Sequence, residues 1–339
     1  MNRALVCDQH GRPEEVVILK DLPDAPAPGP GEVKVEVHYA SLSHSTRLLI
    51  EGKYQSKPPM PFTPGTEAVG VVMEVGPGVD RLHPGDSVLL MSRWGCFAQQ
   101  MTLSQHTVYP IPEGLSMLSA LPLGISYGTA YTGLLWRAEL KPGETVLVLG
   151  AGAGVGLAAV ELASLMGAEV IACASSEDKR QAALKHGAVH AVAPDENLGA
   201  HIKSLTQGRG VDVVVDPVGG DIFAQVVRAC ARNARILTLG FASGKMPAVP
   251  LNHILVKNIS IHGFVFGRYI GWNPDDERAV FAPALQDVMA NLMRWTKQGK
   301  LHPEVAKTFG MNQLIDAMHL LESRKIVGKV ALNIKGDTP

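Results

Sequence analysis

The sequence predicts an α/β fold in which a doubly wound parallel sheet is joined to a β-rich domain, an antiparallel barrel or sandwich. Two stretches with different patterns of apolar and turn residues support this prediction. Up to about residue 120 the chain has short β-type runs separated by Gly- and Pro-rich turns, and from Thr145 longer apolar runs alternate with helix-compatible segments. A length of 339 residues is also typical of two domains.

The first part of the chain contains four clear β-type runs. They read EVKVEVHYASLS, AVGVVMEV, DSVLLM and HTVYPIP, and the turns PAPGPGE, GPGVD and HPGD interrupt them. Short strands separated by such turn chemistry are typical of an antiparallel barrel or a sandwich. This pattern predicts the β-rich domain.

The second part contains six apolar β-type runs, TVLVLG, EVIACA, AVHAVA, VDVVVDPV, ARILTLG and ISIHGFVF. Helix-compatible segments separate the first five of them: VGLAAVELASLM, SEDKRQAALKH, ENLGAHIKSLTQ and GDIFAQVVRACAR. Apolar strands that alternate with helices indicate a parallel sheet covered on both faces.

After about residue 267 this alternation of strands and helices ends. An amphipathic stretch, LQDVMANLMRWTKQG, then precedes a closing strand, KVALNI. We interpret this tail as a return to the first domain. The predicted boundaries are therefore 1–122 with 267–339 for the β-rich domain and 123–266 for the parallel-sheet domain.

The composition excludes several classes of function. Apolar residues make up 46% and charged residues 19%, and the net charge is −1 with no basic block, so no nucleic acid or anionic membrane is expected as a partner. The most apolar run, Val155 to Met166, is too short to span a bilayer. The N-terminus becomes polar within eight residues, unlike a secretory signal, so we expect a cytoplasmic location. The expected partner is a small-molecule substrate.

The four cysteines are far apart and form no CxxC pair, so neither a structural zinc nor a disulfide frame is predicted.

A glycine cluster lies between the strand TVLVLG and the following helix. Glycines occur at every second position from Gly150 to Gly156, and the best register for a phosphate-binding turn is Ala151-x-Ala153-Gly154-x-Gly156. Small residues let the backbone approach a pyrophosphate, and the N–H groups at the start of the helix then bind its negative charge. We therefore predict a dinucleotide site with contacts from Ala153, Gly154 and Val155; the alternative is a tight helix-packing turn.

The end of the next strand bears on the choice of nicotinamide. An NAD site offers an acidic residue about 20 positions on, but here that position is Ala174, followed by the hydroxyls of Ser175 and Ser176 and by Lys179. Hydroxyls and cations suit a 2′-phosphate, which predicts NADPH with contacts from these three residues.

Two alternatives remain open. Ser175 caps the following helix, with Asp178 completing a capping box, or Glu177 holds the ribose 2′-hydroxyl and gives NAD preference.

Together these motifs make the chain resemble a medium-chain dehydrogenase/reductase of the zinc-free, zeta-crystallin-like quinone oxidoreductase branch. The matching stretches are GTEAVGVV, HPGDSV, GCFA, GTAY, the glycine turn, DPVGG and IVGKV, in the family's order along nearly the whole chain. The resemblance implies a GroES-like barrel domain and a Rossmann domain with the active site in the cleft. It also implies a homodimer through the last strand, ISIHGFVF, whose edge would otherwise be exposed.

Departures from the zinc-dependent members decide the predicted chemistry. Ser43 stands where those enzymes have a cysteine ligand, and Thr66 replaces the histidine of Gly-His-Glu. Neutral hydroxyls are poor zinc ligands beside thiolate and imidazole, so we predict a metal-free site. His44 has no partner ligands in the sequence, and we interpret it as a polar contact to the cofactor phosphates.

The resemblance also implies further cofactor contacts. They are Ser43, His44, Thr129, Gly240, Phe241, Phe264, Phe266 and Lys329. Of these, Gly240–Ala242 is expected to end a strand beside the nicotinamide, and Phe264–Phe266 to form a wall of the cleft.

Without a Lewis acid an alkoxide is hard to stabilise, whereas a quinone or α,β-unsaturated carbonyl spreads the charge that hydride addition creates. The sequence therefore predicts an NADPH-dependent quinone or enone reductase. By resemblance Tyr54 is the candidate proton donor, with Ser45 second and a partly buried loop tyrosine as the alternative for Tyr54. An enoyl-thioester reductase and a cofactor-binding protein with little catalysis remain as alternative functions.

Overall fold

A computed structural model describes residues 1–249, 251–272, 275–323 and 325–336 of the chain. They form two compact units: unit 1 contains residues 1–125 and 267–339, and unit 2 contains residues 126–266.

The strands, in chain order, are β1 (Asn2–Cys7), β2 (Val17–Leu22), β3 (Glu32–Leu42), β4 (Glu67–Val75), β5 (Ser87–Met91), β6 (Gln100–Ser104), β7 (Val108–Pro110), β8 (Thr145–Leu149), β9 (Glu169–Cys173), β10 (His190–Val192), β11 (Val211–Asp216), β12 (Cys230–Thr238), β13 (Ser260–Gly263), β14 (Val305–Gly310) and β15 (Lys329–Asn333).

The helices are α1 (Pro13–Val16), α2 (His44–Ile50), α3 (Met117–Ala120), α4 (Ser126–Thr132), α5 (Gly154–Leu165), α6 (Glu177–Lys185), α7 (Leu198–Leu205), α8 (Phe223–Ala229), α9 (Leu251–Lys257), α10 (Arg278–Lys297) and α11 (Leu314–Glu322). Within the described ranges, none of them combines the length and the apolar character that a bilayer crossing requires.

Unit 1 is built on a seven-stranded sheet in the order β14-β15-β3-β4-β5-β7, with β6 also pairing with β3. Every pair is antiparallel except β14 with β15. The alternating apolar residues of β3 and β4, such as Val33, Val35 and Val72, are buried in its core. This is the predicted GroES-like domain, and α10, β14, α11 and β15 of the tail belong to the same unit.

Unit 2 contains one parallel sheet in the order β10-β9-β8-β11-β12-β13. Its six strands are the six predicted apolar runs, and the order reverses at β8, as in a doubly wound Rossmann fold. Leu147, Ile171, Val214 and Ile236 of the four central strands are fully buried. The prediction of a Rossmann-type parallel sheet is confirmed.

The sequence analysis missed α9, the helix between β12 and β13. None of its described side chains is buried, and Leu251, Leu255 and Val256 are 76%, 76% and 69% exposed. A helix without a buried stripe leaves no amphipathic period to read in the sequence.

The parallel sheet places the carboxyl ends of its strands at one edge. The glycine turn, Ser175–Ser176, Asp216–Gly220 and Gly240–Phe241 follow the ends of β8, β9, β11 and β12 and therefore all lie at this edge.

Candidate functional site

The turn between β8 and α5 can form only with glycines at particular positions. Gly150 has φ +63°, and Gly154 has φ +53° with nothing within 4 Å of where a Cβ would stand. A Cβ on Gly156 would overlap the carbonyl oxygen of Gly150. The helix can therefore begin directly against the strand end, which is the close backbone approach that a pyrophosphate site requires.

The start of α5 is open to an anion. The helix begins at Gly154, and the residue before it, Ala153, makes no side-chain capping bond. The first N–H groups of a helix have no partner inside it, and they carry the positive end of the helix dipole. Ala153, Gly154 and Val155 thus have the geometry expected of a cradle for a dinucleotide phosphate.

Lys179, in the first turn of α6, lies beside this turn. A Cβ on Gly152 would stand 2.5 Å from both Cβ and Cγ of Lys179, so the lysine stem crosses the glycine backbone. The sequence analysis assigned Lys179 and the glycine turn to the same ligand from separate motifs. The structure brings them into contact.

The capping alternative for Ser175 is wrong. Helix α6 begins at Glu177, its N-cap residue is Ser176, and no side-chain capping bond is made there. Both serines are exposed, and their hydroxyls make no hydrogen bond to other described residues. Ser175 and Ser176 therefore remain candidate contacts for a 2′-phosphate.

Glu177 and Arg180 of this turn are paired with each other. Arg180 donates from Nε and Nη2 to Glu177 at 3.1 and 2.8 Å, and its Nη1 donates to the carbonyl of Ala174 at 2.9 Å. Gln181 also donates to Glu177 and, with Arg180, holds the pKa of that carboxyl below its usual value. Ala174 itself is 3% exposed, so an acidic side chain at this position would have to be buried.

The glycine turn is in contact with the segment after β11. Gly150 lies under Val218, whose Cγ2 is 3.0 Å from the position of a Gly150 Cβ, and Pro217 lies beside it. Further along, Gly219 has φ +62°, and the ring of Phe241 covers it at 2.9 Å from its would-be Cβ. A continuous row of contacts thus runs along the carboxyl edge of the sheet from Lys179 to Phe241.

Asp216 fixes the middle of this row. It is fully buried, and its Oδ1 accepts hydrogen bonds from the N–H groups of Val218 and Gly219, both at 2.8 Å. Its Oδ2 is buried without a partner among the described residues. Burial raises the pKa of Asp216, although the two backbone donors act in the opposite direction. The sequence analysis quoted DPVGG as a family motif but assigned no role to its carboxyl.

Gly240 and Phe241 occupy a turn and not a strand end, so that part of the prediction is wrong. Strand β12 ends at Thr238, and the turn beyond it bonds to the segment after β11 through Ala242 N–H to Pro217 O at 3.1 Å. Phe241 remains 42% exposed.

The other aromatic candidates are buried. Phe264 and Phe266 are 5% and 4% exposed, and Phe264 packs on Gly133. Thr129 lies within α4 and is 9% exposed. Cofactor contacts by these three residues stay predictions.

In unit 1 the candidate residues lie at the ends of three neighbouring strands. Ala40 of β3 pairs with Ala68 of β4, Ser43 directly follows the end of β3, and Thr66 directly precedes the start of β4. Glu67 of β4 pairs with Met91 of β5, and Ser92 N–H donates to Thr66 O at 3.0 Å. Ser43 and Thr66, the residues expected in place of zinc ligands, therefore stand at the ends of adjacent strands on the same edge of the sheet.

Three hydroxyls meet at the start of α2. The Ser43 hydroxyl is 2.8 Å from that of Ser45 and 3.2 Å from that of Thr46. Thr46 Oγ1 also accepts from the N–H of Ser43 at 3.3 Å, which caps the helix. His44 lies in the same turn with its side chain exposed.

Tyr54 lies beyond the other end of α2. Its N–H donates to Leu48 O at 3.1 Å, its side chain is half-buried, and burial raises the pKa of its phenol. The hydroxyl therefore stays protonated through neutral pH. Ser45 lies in the first turn of α2 and Tyr54 follows its last turn, so the two candidate proton donors stand at opposite ends of this helix.

Lys329 takes part in a buried polar group that the sequence analysis did not predict. Its ammonium donates to Glu67 and, at 3.1 Å, to Ser41, and Ser41 donates to Glu67 at 2.5 Å. The other oxygen of Glu67 accepts from the N–H of Ile125 at 2.6 Å. The ammonium of Lys329 thus forms an ion pair with Glu67 inside unit 1. Its contact with a cofactor remains a prediction.

The donor set at this site does not fit a zinc ion. Ser43 and Thr66 offer neutral hydroxyls, and Cys96 is fully buried with a pKa raised by burial. No group of three or more His, Cys, Asp or Glu side chains in the described part of the chain could hold a metal.

Two family models match the chain. One is described as an alcohol dehydrogenase GroES-like domain and matches residues 29–113. The other is described as a zinc-binding dehydrogenase and matches residues 154–286. Their order follows the order of the barrel domain and the Rossmann sheet along the chain.

Similar proteins are also found over the whole length. Quinone oxidoreductase-like protein 2 of Rattus norvegicus is 38% identical over 336 residues, which cover 98% of this chain and 92% of the relative. A quinone oxidoreductase of Pseudomonas syringae is 26% identical with a TM-score of 0.88, covering 98% and 100% of the two chains. A mycobacterial protein solved in complex with NADPH is 25% identical with a TM-score of 0.87, covering 98% and 99%.

Proposed function

Since the chain belongs to the quinone oxidoreductase branch of the medium-chain dehydrogenase/reductase family and is an oxidoreductase that uses a nicotinamide cofactor, we propose that it reduces a quinone or an α,β-unsaturated carbonyl with NADPH and without zinc. The observation that carries this proposal is the presence of two neutral hydroxyl residues, Ser43 and Thr66, at neighbouring strand ends where zinc ligands would be expected.

The residues of unit 2 fit a nicotinamide dinucleotide. Gly150, Gly154 and Gly156 let the backbone approach the pyrophosphate, and the open start of α5 offers N–H groups to its charge. When bound and reduced, the cofactor supplies a hydride. Ser175, Ser176 and Lys179 would hold the 2′-phosphate, which supports NADPH as the preferred form.

The hydroxyls of unit 1 would serve the acceptor. Hydride addition to a conjugated carbonyl places negative charge on its oxygen, and conjugation spreads this charge so that a neutral donor suffices. Tyr54 is the first candidate, since its raised pKa keeps the phenol protonated, and Ser45 is the second. The donor passes one proton to the oxygen and regains it from water, so that one hydride and one proton complete the reduction.

The test is NADPH oxidation by the purified chain over a panel of 1,4-benzoquinone, an aliphatic enone and crotonyl coenzyme A, with NADH as control. Turnover of the quinone or enone with NADPH is the expected result. Preference for the thioester would identify an enoyl-thioester reductase instead. No NADPH oxidation with any compound of the panel would indicate a cofactor-binding protein with little catalysis and would contradict the proposal.

Two variants distinguish the proton donors. Tyr54→Phe removes the phenolic hydroxyl while keeping the ring, and Ser45→Ala removes the second hydroxyl. General acid catalysis contributes about 10²- to 10⁴-fold, so kcat should fall by that order in Tyr54→Phe, with KM much less affected. If only Ser45→Ala lowers kcat, then Ser45 is the donor and Tyr54 is a packing residue.

A further inference from the structure

Arg93 lies among the candidate substrate residues of unit 1, although no sequence motif singled it out. It follows the end of β5, directly after Ser92, whose N–H bonds to the carbonyl of Thr66. Two residues further on, Gly95 N–H donates to Thr63 O at 2.8 Å. Arg93 therefore stands at the same strand ends as the pair Ser43 and Thr66.

The guanidinium of Arg93 also reaches the segment that carries Tyr54. Its Nη2 donates to the hydroxyl of Ser56, two residues after Tyr54. Its Cζ lies 5.0 Å from the centroid of the Trp94 ring, a distance at which the ring attracts and orients the cation. The guanidinium is thus held against the segment that follows Tyr54.

Arg93 differs in its partners from five other arginines of the chain. Arg47, Arg180, Arg209, Arg235 and Arg278 each form an ion pair with an Asp or Glu side chain. For Arg93 no ion pair is found within the described residues, and the Ser56 hydroxyl is its one acceptor there. Its side chain is half-buried, and its Nε is fully buried and has no hydrogen-bond partner in the described part of the chain.

An arginine in this state is poised for an anionic ligand. A guanidinium presents five N–H donors in a planar fork that matches a carboxylate, and a buried donor without an acceptor is costly. A carboxylate that binds here would gain charge-assisted hydrogen bonds from a cation that is already oriented. A neutral acceptor would leave these donors unpaired.

We propose that Arg93 is a specificity-determining residue which binds a carboxylate group on the acceptor, so that the chain selects acidic quinones or enones over neutral ones. This inference rests on the proposed function, because it names the substrate class of the same site. The carboxylate takes no part in the reduction and serves as an anchor at a distance from the carbon that is reduced.

The first test compares a 1,4-benzoquinone that carries a propanoate side chain with its methyl ester. The two methylenes insulate the ring from the carboxylate, so that both quinones have similar intrinsic reactivity. Loss of charge-assisted hydrogen bonds corresponds to about a tenfold to hundredfold change, and we expect kcat/KM to favour the acid by that factor. In Arg93→Gln the ratio should fall towards one, and Arg93→Lys should restore part of it.

The second test measures binding without turnover. Calorimetry with 3-phenylpropanoate and its neutral amide should show tighter binding of the acid to the wild type, and Arg93→Gln should lose that preference. Arg12→Gln is the matched control, since Arg12 is an exposed arginine of unit 1 paired with Glu14 and Glu15. This variant should keep the wild-type preference for the acid in both tests.

The outcomes separate the two proposals. Turnover with equal kcat/KM for acid and ester, unchanged in Arg93→Gln, would overturn the role of Arg93 and leave the proposed function standing. Binding of 3-phenylpropanoate that depends on Arg93, without turnover of any acceptor, would support the anion site and overturn the proposed function. A wild type that neither binds the acid nor prefers it in turnover would overturn the role of Arg93.

Discussion

The stem of Lys179 lies against Gly152, so that a Cβ on the glycine would stand 2.5 Å from the Cβ of the lysine. This contact joins the first turn of α6 to the turn that precedes α5. The contact fixes the start of the Lys179 side chain beside the glycine turn.

Replacing Lys179 should change cofactor preference. Lys179→Met keeps the stem over Gly152 and removes the charge, so NADPH binding should weaken about tenfold to a hundredfold while NADH binding barely changes. Lys179→Ala should show the same selective loss, and Ser176→Ala a milder one. The dissociation constants of both cofactors, measured by calorimetry, provide the check.

Lys185→Met, at the exposed end of the same helix, is the control and should affect neither cofactor. Equal weakening of both cofactors by Lys179→Met would mean that Lys179 has a structural role. A wild type that already prefers NADH would point to Glu177 as the ribose partner.

Gly156→Ala should disrupt the glycine turn. The added Cβ would overlap the carbonyl oxygen of Gly150, so the start of α5 must move away from β8. We expect a lower Tm and loss of binding of both NADPH and NADH. Gly263→Ala is the control, because nothing lies within 4 Å of a Cβ there and its φ is not positive. A Gly156→Ala variant with wild-type Tm and binding would contradict this account of the turn.

Asp216 should make the stability of unit 2 depend on pH. Its folded-state pKa is raised above the ordinary value of 3.8, so the unfolded chain loses this proton first as pH rises. The free energy of unfolding should therefore decrease as pH rises from 3.8 through the raised value.

Asp216→Asn keeps an acceptor for Val218 and Gly219 without the titration, so its stability relative to the wild type should increase with pH. Asp216→Ala leaves both N–H groups without this acceptor and should cost about 1–3 kcal/mol. Urea unfolding of the three proteins between pH 4 and pH 8 measures both effects. Parallel pH profiles for the wild type and Asp216→Asn would show that the carboxyl does not titrate in this range.

The purified chain should contain no stoichiometric zinc. The prediction rests on Ser43 and Thr66, whose hydroxyls compete poorly with thiolate and imidazole for the ion. Elemental analysis should find well under one zinc per chain, and a chelator should leave turnover unchanged. About one tightly held zinc per chain would defeat the prediction.

We expect a homodimer with C₂ symmetry. Strand β13 forms an edge of the parallel sheet, Ile261 on it is 45% exposed, and Leu255 of α9 is 76% exposed. An apolar sheet edge is a ready template for pairing with a second copy. Light scattering at micromolar concentration should give the mass of two chains, and Ile261→Lys with Leu255→Glu should shift it towards one. A wild-type monomer would count against the interface.

The sequence by itself determined the architecture of unit 2 and the position of its glycine turn. The central strands β8, β9 and β11 are short apolar runs of mostly buried residues, and such runs are visible in the sequence whatever their neighbours are. The glycines at Gly150, Gly154 and Gly156 are likewise local requirements of a sharp turn, so their spacing indicates the turn before any contact is known.

Only the tertiary structure decided which charged groups are paired. Glu67 and Lys329 are 262 positions apart in the chain and meet in the interior of unit 1, whereas Arg93 has no acidic partner in the described residues and Asp216 has a buried oxygen left over. Periodicity shows which faces are buried, but the partner of a charge depends on strand register and on chain segments far apart in sequence. For this reason the sequence indicated the candidate cofactor turn, while the candidate substrate anchor emerged only from the fold.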